Sequence, residues 1–252
     1  MSGRPSGWVQ VAGLGPGDEA LVTPQVQAAL AEATDIIGYI PYVRRVPDRA
    51  GLTKHESDNR VELERATHAL SLAARGARVV VVSSGDPGVF AMASALFEAL
   101  EAGPVGWRDL DIRILPGITA MLAASARIGA PMGHDFCAIN LSDNLKPWTV
   151  IETRLRLAAR AGFSMGFYNP RSASRPHQFG QALAILREEL PASVPVSFAR
   201  NVSRPDERIV TVPLGQAQAE MADMRTVVIV GTAETRQVGR FYYTPRSLAQ
   251  ER

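Results

Sequence analysis

Val79-Val80-Val81-Val82 is a run of four β-branched residues with no polar position in it. A strand of this kind has no face to give to water, and such strands lie inside parallel sheets covered on both sides. Parallel neighbours need a crossover, usually a helix. The chain around the run meets that demand. Strands are predicted over 8–12, 34–38, 79–82 and 111–115. Thr23 caps a first helix with Pro24 at its first position, where a missing N–H costs little. Asn59-Arg60-Val61-Glu62 has the form of a capping box. Leu63, Ala66, Leu70 and Ala73 follow at helical spacing, and Gly76 stops that helix. The next helix is expected to turn Val89, Ala93, Leu96, Phe97 and Leu100 inward, and an alanine-rich helix opens after Pro116-Gly117-Ile118-Thr119. Alternating strands and helices give a doubly wound parallel sheet. Segment 39–58, with Pro41, Pro47 and Gly51, reads as one long loop of the functional kind.

Strands in the second half neighbour one another more often, which points to a mixed sheet. They are expected over 136–141, 164–168, 194–199, 208–211 and 226–230, with helices over 150–161, 176–190 and 214–219. The fold class is therefore α/β: two α/β domains, the first with a doubly wound, mainly parallel sheet and the second with a mixed sheet. The domains are expected over 1–122 and 123–245, with a tail over 246–252.

Composition excludes several classes of function. Hydrophobic residues at 46% and charged residues at 21% describe a chain that packs a core. A net charge of +2 calls for no nucleic-acid partner. The apolar runs are too short to span a membrane and the first residues do not form a signal peptide, so a soluble, cytoplasmic protein is expected. Cys137 is the only cysteine, and the four histidines have no ligand spacing, so no metal is expected. Only Lys54 and Lys146 are lysines. Nearly all positive charge is guanidinium, which pairs carboxylates through a two-pronged fork.

The loop Gly13-Leu14-Gly15-Pro16-Gly17-Asp18 invites comparison with a dinucleotide fingerprint. That motif needs its third glycine one position later and an acid after the second strand. Neither is present, and Pro16 removes a backbone donor where a pyrophosphate would want one. A plain tight turn and a ligand loop both stay open. Ser83-Ser84-Gly85-Asp86-Pro87-Gly88-Val89-Phe90 and Pro116-Gly117-Ile118-Thr119-Ala120 also follow predicted strands, at the end where open α/β sheets bind ligands. Asp86 could bind a ligand hydroxyl or amine, or cap the next helix. Three further loops carry cations or turn residues: Ser142-Asp143-Asn144-Leu145-Lys146-Pro147-Trp148, the segment 168–177 with Arg171, Arg175 and His177, and the segment 199–207 with Arg200 and Arg204. With Arg44, Arg45 and Lys54 they suggest a polyanionic substrate.

Taken in order, GLGPGD, SSGDPGVF, PGITA, FYNPRS, ARNVSRPDE and TVVIVG resemble the tetrapyrrole methyltransferases, over about 8–231. The sub-signatures SDNLKPW, FYNPRSASRPHQF and ARNVSRPDE are most similar to the branch of that family that methylates C17 of precorrin-3B. The resemblance implies a homodimer with an active-site cleft between its two domains, and S-adenosylmethionine as cofactor, released as S-adenosylhomocysteine. It implies C17 methylation and ring contraction of precorrin-3B to precorrin-4, in cobalamin biosynthesis. Transient contact with neighbouring pathway enzymes is expected, and no partner of nucleic acid or membrane. Carried over residue by residue, Pro16 flanks the entrance to the tetrapyrrole trough at the edge of the cofactor site. Ser84, Gly85, Asp86, Val89 and Phe90 line one side of the cofactor, and Thr119 and Ala120 contact its methionine portion. Tyr168, Asn169, Val202 and Thr226 enclose its adenine; Asn169 stands where more general members have methionine. Arg44, Lys54, Lys146, Arg171, Arg175, Arg200 and Arg204 are candidates for the substrate's acidic arms. Ring contraction needs a proton acceptor, for which Asp143, Asp58 and His177 are candidates. A cobalt-bearing substrate, a non-catalytic tetrapyrrole carrier and a nucleotide-dependent oxidoreductase are the competing readings.

Overall fold

The valine run forms the middle strand of a five-stranded parallel sheet. In the computed structural model, which describes residues 7–58 and 61–247, the chain divides into two compact units, Met1–Thr119 and Ala120–Arg252. The first unit contains β1 (Trp8–Gly13), α1 (Pro24–Glu32), β2 (Asp35–Tyr39), α2 (Ile40–Val43), β3 (Thr53–Ser57), α3 (Glu62–Ala74), β4 (Arg78–Ser83), α4 (Met92–Ala102) and β5 (Asp111–Leu115). The strand order is β3-β2-β4-β1-β5, with every pairing parallel. The alternation of a strand divides the valines between two cores. Val79 and Val81 join Leu70 of α3 and Leu96 of α4. Val80 and Val82 join Val26 and Ala29 of α1 on the other face. All four are fully buried, as a doubly wound sheet requires. The Thr23 hydroxyl accepts from the Val26 N–H, which is the expected cap of α1.

Several expectations need correction. Segment 39–58 is not one loop: it contains the short helix α2 and the strand β3. β3 reads Thr-Lys-His-Glu-Ser and pairs only with β2, at the sheet edge. An edge strand needs no apolar alternation, which is why its periodicity was silent. Asn59 and Arg60, half of the expected capping box, lie outside the described residues; Val61 at the N-cap position of α3 makes no side-chain cap. Leu63 and Phe97 do not face inward, being about half exposed. The buried stripes run through Ala66, Ala69, Leu70 and Ala73 in α3 and Met92, Ala93, Leu96 and Ala99 in α4. Val89 precedes α4 rather than lying in it.

The second unit contains α5 (Ala120–Ile128), β6 (Gly129–Ala130), β7 (Phe136–Asn140), α6 (Trp148–Arg160), β8 (Ser164–Tyr168), α7 (Gln178–Glu189), β9 (Pro195–Arg200), β10 (Arg208–Pro213), β11 (Thr226–Val230), β12 (Arg236–Val238) and β13 (Phe241–Tyr243). Its main sheet has the order β10-β9-β11-β8-β7 and is mixed: β7 and β8 are parallel, the other pairs antiparallel. α6 and α7 cover one face through Ile151, Leu155, Phe179 and Leu183. α5 covers the other through Met121, Ala124 and Ile128. Gly166 in β8 lets α5 come close, since a Cβ there would stand 2.2 Å from the Met121 sulfur. The expected helix over 214–219 is instead two separate 3-10 turns, Leu214–Gln216 and Ala219–Met221. Arg187 holds the turn between them: its guanidinium donates to the Leu214 and Ala217 carbonyls. A small sheet of β12, β13 and β6 was not foreseen, because strands of two or three residues carry no readable period.

Helices α6 and α7 are joined by charge as well as by core. Glu189 accepts from Arg160 at 2.8 Å twice and from Arg156 at 2.8 Å. These hydrogen bonds, Arg160 first, lower its pKa to about 2 from 4.5. The carboxylate is thus favoured in the folded state, and its contribution is complete above the unfolded value and lost as pH falls towards the folded one. Urea unfolding of Glu189→Gln from pH 6 to pH 2 is expected to show lower stability than the parent at pH 6, with the difference closing between about pH 4.5 and 2. A constant difference across that range would assign the stabilisation to packing.

Candidate active site

Strands β4, β1 and β5 are neighbours and run the same way, so the loops that leave them emerge together at one sheet edge. Their glycines serve this meeting first. A Cβ on Gly117 would lie 2.2 Å from the Gly85 carbonyl oxygen and 2.8 Å from that of Gly13. A Cβ on Gly13 would lie 2.5 Å from the Gly85 oxygen. Gly15 and Gly85 exchange backbone hydrogen bonds of 3.2 and 2.9 Å, both at left-handed φ. Asp86 completes the joint. One carboxylate oxygen accepts from the Gly88 N–H at 2.7 Å and the other from the Gly117 N–H at 3.0 Å. It does not cap α4, whose N-cap residue is Ala91. Thr119 and Pro16 are buried, while Ser84 and Val89 are half-buried.

Two arginines organise this edge: Arg45, grouped by the sequence with the cations for a polyanionic substrate, and Arg65, which the sequence does not single out. Arg45 donates to the Leu14, Gly15 and Gly17 carbonyls at 2.7, 3.5 and 3.2 Å. Arg65, only 5% exposed, donates to the Ser57 hydroxyl and the Asp58 carbonyl, both at 2.8 Å. Burial lowers its pKa. The clue in the sequence was an arginine at an otherwise apolar helix spacing, with nothing to name its partners. Arg44 pairs with Glu56 at 3.3 Å, and Lys54 with Asp48 at 2.6 Å and with the Val46 carbonyl.

The second unit gathers its loops in a similar way. β8 and β9 are each antiparallel to β11, and β7 is parallel to β8. The chain therefore leaves β7, β8 and β9 at one edge, where it also enters β11. That edge holds the 141–147, 169–177 and 201–207 loops. Asp143 accepts from the Gln178 amide at 3.0 Å, and Lys146 donates to the Ser142 carbonyl at 3.1 Å. Burial, helped by Arg154, lowers the Lys146 pKa. Arg200 binds Asp223 at 2.8 Å. Burial pushes the Asp223 carboxyl up, but hydrogen bonds from Arg200, Thr226 and the Arg225 N–H outweigh it and leave the pKa lowered. The Thr226 hydroxyl is thus committed to Asp223 at 2.8 Å. The Tyr168 hydroxyl accepts from the Met121 N–H at 3.0 Å, in the first turn of α5. Arg204 and His177 are exposed, Val202 is buried, and a pocket of about 340 Å³ is lined by Arg171, Ser172, Pro176, Asp223 and Arg225 among others. Among the described residues, no carboxylate lies within ion-pair distance of Lys146, Arg171, Arg175 or Arg204.

Backbone conformation singles out the same loops. The non-glycine residues at positive φ among those described are Phe90 at 53°, Asn169 at 52°, Asn201 at 51° and Ser203 at 63°. Each lies in a segment singled out by its composition. Such conformations are uncommon outside glycine and concentrate at functional sites.

The Tetrapyrrole (Corrin/Porphyrin) Methylases match residues 9–218. The chain is 55% identical to a precorrin-3B C(17)-methyltransferase from Sinorhizobium sp, over 97% of this chain and 98% of that protein. It is 36% identical to a probable cobalt-factor III C(17)-methyltransferase from Salmonella typhimurium, over 94% and 98%. The crystal structure of the methyltransferase CobJ is 69% identical, with a TM-score of 0.93 over 95% of this chain and all of that one. By the family model over residues 9–218, its length of alignment and its fold, the chain belongs to the tetrapyrrole (corrin/porphyrin) methylases.

Proposed function

We propose that the protein methylates C17 of precorrin-3B with S-adenosylmethionine and contracts the macrocycle to precorrin-4, in cobalamin biosynthesis. The observation that carries this reading is the 55% identity to the Sinorhizobium enzyme along almost all of both chains. The cobalt-bearing substrate is the second reading, supported by the Salmonella relative at 36%. The proposal includes a cytoplasmic homodimer in transient contact with the enzymes before and after it, as the family resemblance implies.

The donor set fits the cofactor. A sulfonium is cationic and avoids other cations, and loops 84–90 and 116–120 contain no lysine or arginine and one carboxylate, Asp86. S-Adenosylmethionine supplies a methyl group that is already electrophilic. The chain has to hold and align it. Gly85, Asp86, Val89, Phe90, Thr119 and Ala120 would do so, with Tyr168, Asn169, Val202 and Thr226 around the adenine and Ser84 and Pro16 at the margin. Alignment of this kind can supply most of a rate enhancement. Arg171 and Arg204, which have no carboxylate within ion-pair distance among the described residues, are suited to the acidic arms of a tetrapyrrole. Asp143, Asp58 and His177 remain the proposed proton acceptors. Of these, the Asp143 carboxylate accepts from Gln178, and the Asp58 backbone carbonyl accepts from Arg65.

Incubation with precorrin-3B and methyl-labelled S-adenosylmethionine is expected to give a product heavier by one methyl group. Calorimetry is expected to show S-adenosylhomocysteine bound at micromolar concentration and NAD not bound. An unaltered pigment that stays bound would identify a carrier, and binding of NAD alone an oxidoreductase.

A further inference from the structure

Arg175 carries a positive charge into the interior of the second unit, with 5% of its surface exposed. A charge in that position is costly unless its hydrogen bonds are met. Three of its five N–H groups are engaged, by an unusual set. One terminal nitrogen donates to the Asn169 carbonyl at 3.0 Å and the Leu141 carbonyl at 3.4 Å. The other donates to the Met224 sulfur at 3.4 Å. Burial lowers the pKa, against the attraction of Asp143. These partners belong to three segments: Leu141 follows β7, Asn169 follows β8, and Met224 precedes β11. A single planar fork thus ties together three of the loops at this sheet edge.

Asn169 is the point where the tie matters most. It holds a left-handed φ of 52° that asparagine tolerates but does not prefer. Its amide donates to the Asn140 side-chain oxygen at 3.1 Å, and that oxygen also accepts from the Ser142 N–H at 2.9 Å. The Asn169 peptide is therefore pinned at its carbonyl by Arg175 and at its side chain by Asn140. A guanidinium so deeply placed, and held by three segments of its own unit, is badly situated to meet a substrate carboxylate.

We infer that Arg175 is a positioning residue for the cofactor, acting through Asn169, and not a contact for the acidic arms of the tetrapyrrole. This rests on the proposed adenine contact at Asn169. Lysine is the informative replacement, because it keeps the charge but presents one point donor in place of a rigid fork.

The test is Arg175→Lys in the full chain. Calorimetry with S-adenosylhomocysteine is expected to give a Kd at least tenfold higher, and kinetics a raised KM for S-adenosylmethionine with the KM for precorrin-3B within twofold of the parent. Asn140→Ala, which frees the other end of Asn169 and leaves Arg175 in place, is expected to shift the same two quantities in the same direction. It also serves if Arg175→Lys does not fold. Adding Asn169→Gly to Arg175→Lys should weaken cofactor binding no further, because the two act through one peptide. A raised KM for precorrin-3B with unchanged cofactor affinity would overturn the assignment and return Arg175 to the substrate. Additive losses in the double variant would overturn the route through Asn169. No binding of S-adenosylhomocysteine to the parent chain would instead defeat the cofactor reading, and this inference with it.

Discussion

Gly117→Ala is expected to lower affinity for S-adenosylhomocysteine at least tenfold and to destabilise the fold by about 1–3 kcal/mol, the usual cost of forcing an extra group into packed structure. The added methyl would meet the Gly85 and Gly13 backbone oxygens at 2.2 and 2.8 Å. Neither can swing away as a side-chain tip could. The 116–119 loop must move, and the Gly117 N–H then leaves the Asp86 carboxylate that joins it to the 84–90 loop. Gly106→Ala provides the control. It lies in the same unit, its Cβ would meet nothing within 4 Å, and its φ is not positive. Calorimetry and thermal unfolding of the two variants should separate sharply. If Gly117→Ala binds as the parent does, loop contact is not what shapes the site.

Phe179→Ala should cost about 3–5 kcal/mol of stability. The ring is fully buried in α7 and meets Phe198 of β9 edge-on, with centroids 6.0 Å apart. Such a contact adds roughly 0.5–1.5 kcal/mol beyond area burial. Typical domains hold only about 5–15 kcal/mol in total, so the variant would spend a large share of the reserve. Urea unfolding measures it directly. A loss below about 1 kcal/mol would mean that Leu183 and Ile151 collapse into the space, and that the second core is looser than its burial suggests.

The architecture was legible where burial is two-sided. The valine run, the Thr23–Pro24 start of α1 and the strands β8 and β11 stand in the sequence because every residue there answers to packing or capping. β3 was not legible, because an edge strand of polar residues obeys no apolar period. The 214–219 segment differs for another reason: its turns are held by Arg187, a residue 27 positions from Leu214, and no local pattern reports a distant partner. For the site, composition located the loops but not the work of their residues. Asp86 reads in the sequence as ligand contact or helix cap, and in the structure it joins two loops. Arg45, Arg65 and Arg175 look like any other arginine in a loop or helix until their backbone partners are seen. A guanidinium that binds carbonyls leaves no complementary acid in the sequence to betray it.

Strand β11 has a consequence for how such a chain could be altered. By running against both β8 and β9 it makes them point the same way, and β7 lies parallel to β8, so that three segments emerge at one edge from a frame whose residues they do not share. The segments at 142–147, 170–174 and 203–206 could be exchanged for those of a relative without disturbing any strand pairing, provided that Arg175 and its carbonyl partners travel together. The useful unit of transplantation is therefore a set of loops with its own internal clasp, and a graft that moves one loop at a time would sever that clasp before testing any change of specificity.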